Sequence, residues 1–323
     1  MLRIMQGGLG GVNAPATLDV MDTASPPRTW TGRSLGSRWQ HGFFYGLIRH
    51  LGRRPAYVLA DGVAWFFVLT RASVRAGCEP YLRRRFPERR GMRRLLDAWR
   101  MCRELGRILV DRAALGILGA GALEARHTGG PRLLELLSEG RGLILLTAQV
   151  GAWQVGMVGL PNLEVPVTVV MHRAPGDVDR QYFEHQPGQA PFRVLDPAEG
   201  GSLALLSALE QGQVLCFMGD RVMAGTGGAL PARLLGDPIA VPFGPLRLAA
   251  ATGAPIAVVF YRKPDLDTLE LEVAEVIRVP DLGRRPDAYG AHAQAFADAL
   301  EAFTRREPYR FFNFYDLWAP PAG

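Results

Sequence analysis

PRLLELLSEGRGLILLTAQVGAWQ, from Pro131 to Gln154, is the stretch that decides the architecture. Its first nine residues set Leu133, Leu134, Leu136 and Leu137 at helical spacing, and Gly140 ends the helix. LILLTA, Leu143 to Ala148, then forms a short continuous apolar run, the pattern of a buried strand. A helix feeding a buried strand that opens into a polar turn is one unit of an α/β sheet. Downstream, Val165 to Met171, Phe192 to Leu195, Val214 to Met218, Ile256 to Tyr261 and Leu269 to Val279 read as further strands. Ser202 to Gln211 and Phe243 to Thr252 read as helices between them. The order predicts an α/β fold: a mixed, mostly parallel sheet flanked by helices.

In such a sheet ligands collect beyond the carboxyl ends of the strands, which directs attention to the loops TAQVGAWQ, MHRAPGDVDR and GDRVMAGTGG. These supply the candidates: Gln149, Trp153 and Gln154 from the first, His172 and Arg173 from the second, Asp220 and Arg221 from the third. A guanidinium fork suits phosphate, so Arg173 reads as a phosphate contact. Asp220 orients an arginine or a headgroup, or simply forms a turn. Asp177, Asp179 and Arg180 read as a solvated turn, and Ala224 to Gly228 as a lid or turn, since AGTGG lacks the Lys and Ser or Thr of a phosphate loop. The aromatic ending, Tyr309 to Trp318, lines a groove or packs on the sheet, with packing the default.

Working back toward the amino terminus, the character changes. Between Arg28 and Val110 there are 18 arginines against five acids, within a chain of 323 residues whose overall net charge is +6. Apolar bursts accompany the charge, as in WQHGFFYGLIRHLGRR, but Arg49, His50, Arg53, Arg54 and Asp61 interrupt them before the ~20 apolar residues of a spanning helix accumulate. Such segments read as amphipathic helices in a membrane interface, with core helices carrying solvated arginines as the alternative. No nucleic-acid-binding signature accompanies the charge, so an anionic membrane surface is the partner it suggests and nucleic acid is not. Residues 1–27 read as a disordered leader, 28–125 as a basic helical membrane-interface region, and 126–323 as the α/β region. Cys78, Cys102 and Cys216 lack metal-ligand spacing, which predicts free thiols and no metal.

Taken together, the ordered motifs resemble the lipid A biosynthesis acyltransferase branch of the lysophospholipid acyltransferase superfamily. That branch places His, four residues and an acid after a central strand, in a phrase of the form His, small, Gly, small, Trp, acid. This chain has Gln149, Val150, Gly151, Ala152, Trp153, Gln154: the frame matches and both reactive positions differ. VLCFMGDRV, VPFGPLRLAAATGAPIAVVF and FFNFYDLW resemble later blocks of the same family. The resemblance implies acyl transfer from an acyl thioester, carried by acyl carrier protein or coenzyme A, to a lipid or glycolipid hydroxyl at the cytoplasmic face of a bacterial inner membrane, without a cofactor. A glutamine neither takes a proton near neutral pH nor steadies an imidazolium, so Gln149 and Gln154 form a polar clamp or mark a site that no longer turns over. His172 is then the substitute base, and a catalytically inactive lipid- or carrier-binding scaffold is the alternative.

Overall fold

The computed structural model describes residues 38–171, 192–196, 201–222, 228–283 and 285–319. The leader, His172, Arg173, the 177–180 turn and most of the 224–228 glycine run lie outside the described residues. The arginine-rich region is helical: Arg38–Leu51 (α1), Arg53–Thr70 (α2), Ala72–Arg85 (α3) and Met92–Leu118 (α4). Next come Glu124–Arg126 (β1), Gly130–Leu137 (α5), Leu143–Thr147 (β2), Trp153–Gly156 (α6), a 3-10 stretch at Met157–Leu163, Val167–Val170 (β3) and Arg193–Leu195 (β4). Ser202–Glu210 (α7), Val214–Met218 (β5), Ala229–Leu234 (β6), Asp237–Pro242 (β7), Phe243–Thr252 (α8), Ile256–Arg262 (β8), Thr268–Ile277 (β9) and Gly290–Arg306 (α9) follow, with short 3-10 stretches at Ala120–Ala122 and Pro286–Tyr289.

Among the described residues seven strands form one sheet in the order β1-β9-β8-β2-β5-β3-β4. Strands β8, β2, β5, β3 and β4 run parallel, while β9 pairs antiparallel with β8 and carries β1 alongside it. The mixed, mostly parallel sheet anticipated from the pattern is therefore present. Side chains alternate across a strand, so β2 serves two cores at once. Ile144 and Leu146 face a core shared with Phe260, Phe296, Phe303 and Phe311, whereas Leu143 and Leu145 face one shared with Leu133, Leu136, Val259 and Leu271. Both faces being buried is why Leu143 to Leu146 are apolar in succession rather than alternating.

Strands β1, β6 and β7 and helices α6 and α9 were not anticipated. Strand β1 is three exposed residues on a sheet edge, too short to pattern. The β6–β7 hairpin carries Pro231 and Pro238 and turns at Leu235 and Gly236, both at positive φ (53° and 88°). That is the geometry of a two-residue hairpin loop whose usual residues are Asn-Gly, and a leucine there hides it. The Leu235 N–H is held by Glu301 of α9 at 2.6 Å, a contact made across the fold.

Helices α2 and α4 are fastened to the body by buried charge. Asp111 of α4, fully buried, accepts hydrogen bonds from Arg53 Nη1 (3.0 Å), Tyr57 Oη and Lys263 Nζ. Lys263 follows β8 and also donates to the Leu266 carbonyl, as does Arg53. Many arginines of the basic region likewise turn into the fold. Arg84 bonds Asp237 and lies over Trp318, Arg89 and Arg100 converge on buried Asp97, and Arg107 forks onto Asp61.

Candidate active site

Beyond Thr147 the chain turns through residues 148–152 into α6, and the turn is braced by backbone. The half-buried Gln149 donates its N–H to Asp220 Oδ2 at 2.8 Å, and its carbonyl accepts the Phe312 N–H at 2.8 Å. Gly151 N–H donates to the Arg310 carbonyl and Ala152 N–H to the Tyr261 carbonyl, both at 2.8 Å. Gly151 sits at φ 58°, and a Cβ there would press into the Tyr261 carbonyl. Glycine at 151 is thus required twice, by conformation and by the close approach of two backbones. Gln154 is held separately: its Oε1 accepts from Arg112 Nη1 of α4 at 3.2 Å.

Asp220 stands behind the turn rather than in an open loop. It is fully buried, its Oδ2 also accepts from Asn313 Nδ2 at 2.7 Å, and its carbonyl accepts from the Tyr315 hydroxyl at 2.7 Å. Burial raises its carboxyl above the usual range, opposed by the Gln149 N–H, the Asn313 amide and the charge of Arg221. The geometry makes Asp220 a support for Gln149 and gives it no surface for a substrate. Arg221 is half-buried, its guanidinium 5.7 Å from the centre of the Tyr315 ring. The closing aromatic segment therefore does more than pack, since Phe312, Asn313 and Tyr315 each hold the turn or its support. A polar asparagine inside FFNFYDLW was the only sign of this in the sequence.

Beside the turn lies an apolar cavity of about 420 Å³. Leu145 and Thr147 of β2, Val169 and Val170 of β3, Cys216, Phe217 and Met218 of β5, and Val259 and Tyr261 of β8 form its sheet wall. Leu133 and Leu134 of α5, Trp153 and Met157 close the opposite side. Of the candidates, Trp153 lines this space, while Gln149, Gln154, Asp220 and Arg221 are not among its lining residues. Burial pushes the Cys216 thiol up to about 12, which keeps it protonated and poorly nucleophilic. Among the described residues no group of three or more His, Cys, Asp or Glu stands together to hold a metal.

Two curated relatives are similar to part of this chain. Phosphatidylinositol mannoside acyltransferase from two Mycobacterium tuberculosis strains, CDC 1551 / Oshkosh and ATCC 25618 / H37Rv, is 30% identical over 122 residues, covering 36% of this chain and 38% of the relative. The match thus spans well under half of those proteins. A family model described as bacterial lipid A biosynthesis acyltransferase matches residues 28–319, which takes in the helical region, the braced turn and the closing aromatics. On that match over nearly its whole length, the chain belongs to the bacterial lipid A biosynthesis acyltransferase family.

Proposed function

We propose that this acyltransferase-family protein moves a long fatty acyl group from an acyl thioester, borne by acyl carrier protein or coenzyme A, to a hydroxyl of a membrane lipid or glycolipid. The apolar cavity beside the turn is the observation that carries this reading. Its size, about 420 Å³, and its lining of mostly apolar side chains suit a fatty chain. A glycolipid acceptor agrees with the similarity to the mycobacterial phosphatidylinositol mannoside acyltransferase.

Membrane attachment is part of the same proposal, at the cytoplasmic face of a bacterial inner membrane. On α2, Val58, Phe66 and Leu69 are 74%, 58% and 58% exposed and share one helix face with exposed Pro55 and Gly62. Exposed Arg49, Arg54 and Arg71 flank that face, the arrangement that suits acyl chains below and anionic headgroups beside them. No single described helix is long and apolar enough to cross a membrane; α2 and α3 pass only as a pair bent by 94°. Phe66→Asp with Val58→Asp is expected to abolish sedimentation with phosphatidylglycerol vesicles while leaving the melting temperature unchanged.

The amides at 149 and 154 favour a second reading, a homologue that binds lipid or an acyl carrier without turnover. Incubating the full chain with radiolabelled palmitoyl-coenzyme A and a bacterial lipid extract decides between them. Labelled lipid product supports the enzyme; saturable donor binding with no product supports the scaffold; neither binding nor product overturns both.

A further inference from the structure

If Gln149 cannot take a proton, acyl transfer needs another base, and the sheet register indicates one. Arg126 of β1 lies opposite Glu270 of β9, so His127 falls level with Leu271, whose carbonyl accepts hydrogen bonds from Gly129 N–H and Thr128 Oγ1. Leu271 lies opposite Tyr261 of β8. Strand β8 pairs with β2 through Val258 and Leu146, which brings Tyr261, three residues on, level with Gln149. The Ala152 N–H bonded to the Tyr261 carbonyl ties that level to the turn. His127, Tyr261 and the turn therefore occupy one line across the sheet, although they come from strands running in opposite directions.

The side chains of the first two converge on the same space. Both line the apolar cavity, with His127 at its exposed rim. A Cβ placed on Gly159 would stand 3.5 Å from His127 Cε1 and 4.0 Å from the Tyr261 hydroxyl, so both groups border the gap that this glycine leaves. The Tyr261 ring lies flat against Gly156, where any Cβ would collide with it, so the ring cannot swing toward α6. Burial holds the phenol above its usual titration range and keeps it a hydrogen-bond donor. Among the described lining residues, His127 alone offers a group that can accept a proton from a hydroxyl and carry the resulting charge.

We infer that His127 is the general base of this chain and that Tyr261 donates to the acyl carbonyl, an inference that rests on the acyl-transfer reading above. The imidazole takes the proton of the acceptor hydroxyl as its oxygen attacks the thioester carbonyl carbon. Tyr261 O–H donates to the carbonyl oxygen as negative charge gathers there. The C–S bond then breaks, the C–O bond is retained in the ester, and the thiolate leaves with the proton from the imidazolium. Two convergent polar groups at one end of an apolar space are what such a step requires.

The test uses the full chain with radiolabelled palmitoyl-coenzyme A and bacterial membrane lipids. His127→Ala is expected to lower turnover by roughly 10²- to 10⁴-fold with partial rescue by added imidazole, and Tyr261→Phe by roughly 10²-fold, with binding of a fluorescent fatty acid unchanged in both. His127 is exposed, so its removal leaves the fold intact and the loss is read as chemistry. Wild-type turnover that persists in His127→Ala, or a loss that imidazole does not rescue, overturns the assignment while acyl transfer stands. Absence of wild-type turnover removes the acyl-transfer reading and the assignment with it.

Discussion

Two carboxylates in this molecule are equally hidden and oppositely served. Asp111, where α2 and α4 meet the body, is surrounded by an arginine, a lysine and a tyrosine, while Asp220, beneath the turn, meets a backbone N–H and an asparagine amide. Both fasten segments that are distant in sequence. Asp111 does it with opposite charge, which compensates its burial directly. Asp220 does it mostly with neutral donors, leaves its Oδ1 without a partner among the described residues, and so retains a carboxyl that resists ionising. The difference teaches that one carboxylate locks the architecture and the other holds the turn after β2 at some cost to itself.

Asp111→Ala tests the first half of that contrast and carries the largest expected effect. It strands Lys263 and Arg53 without their shared counter-charge, and loss of about 3–5 kcal/mol is expected in denaturant unfolding. A cost below 1 kcal/mol would mean the joint is not locked by charge. Asp220→Ala leaves the Gln149 N–H and the Asn313 amide without their acceptor, and about 1–3 kcal/mol should be lost.

The sharper test of the second half is pH. A folded-state carboxyl raised above its unfolded value holds its proton more tightly in the native state, so its contribution is present below the unfolded carboxylate range and is lost as pH rises through the raised value. Asp220→Asn keeps an acceptor for Gln149 and should flatten that part of the stability profile followed by thermal melts. An unchanged profile would place the pH dependence elsewhere. The smallest effect is expected from Gln154→Glu, which converts the Arg112 contact into an ion pair and should raise stability by about 0.2–1 kcal/mol at low salt.

Much of the fold was legible because its signals are local. The β5 strand and the helix at Phe243–Thr252 fall where their apolar runs and boundary residues placed them, and the helix read at 131–139 starts one residue earlier and ends two residues earlier, at Gly130–Leu137. The site was legible only as a position. TAQVGAWQ marked the turn, but nothing near it in the chain indicated that Asn313, 93 residues beyond Asp220, would share that carboxylate. Nor did the arginine count reveal which guanidinium groups face outward; their inward partners, such as Asp237 for Arg84, lie 153 residues away.

The sequence alone determined the central strands of the sheet and the helices at 202–210 and 243–252, where the turn lies, and that both reactive positions in it are amides, since each follows from residue type and short-range periodicity. Tertiary structure alone decided which carboxylates are buried, which arginines are spent on internal partners, and that a histidine following a three-residue edge strand stands level with the turn. Those outcomes depend on strand register and on contacts between segments far apart along the chain, and no local pattern encodes which distant group will arrive to satisfy a buried charge.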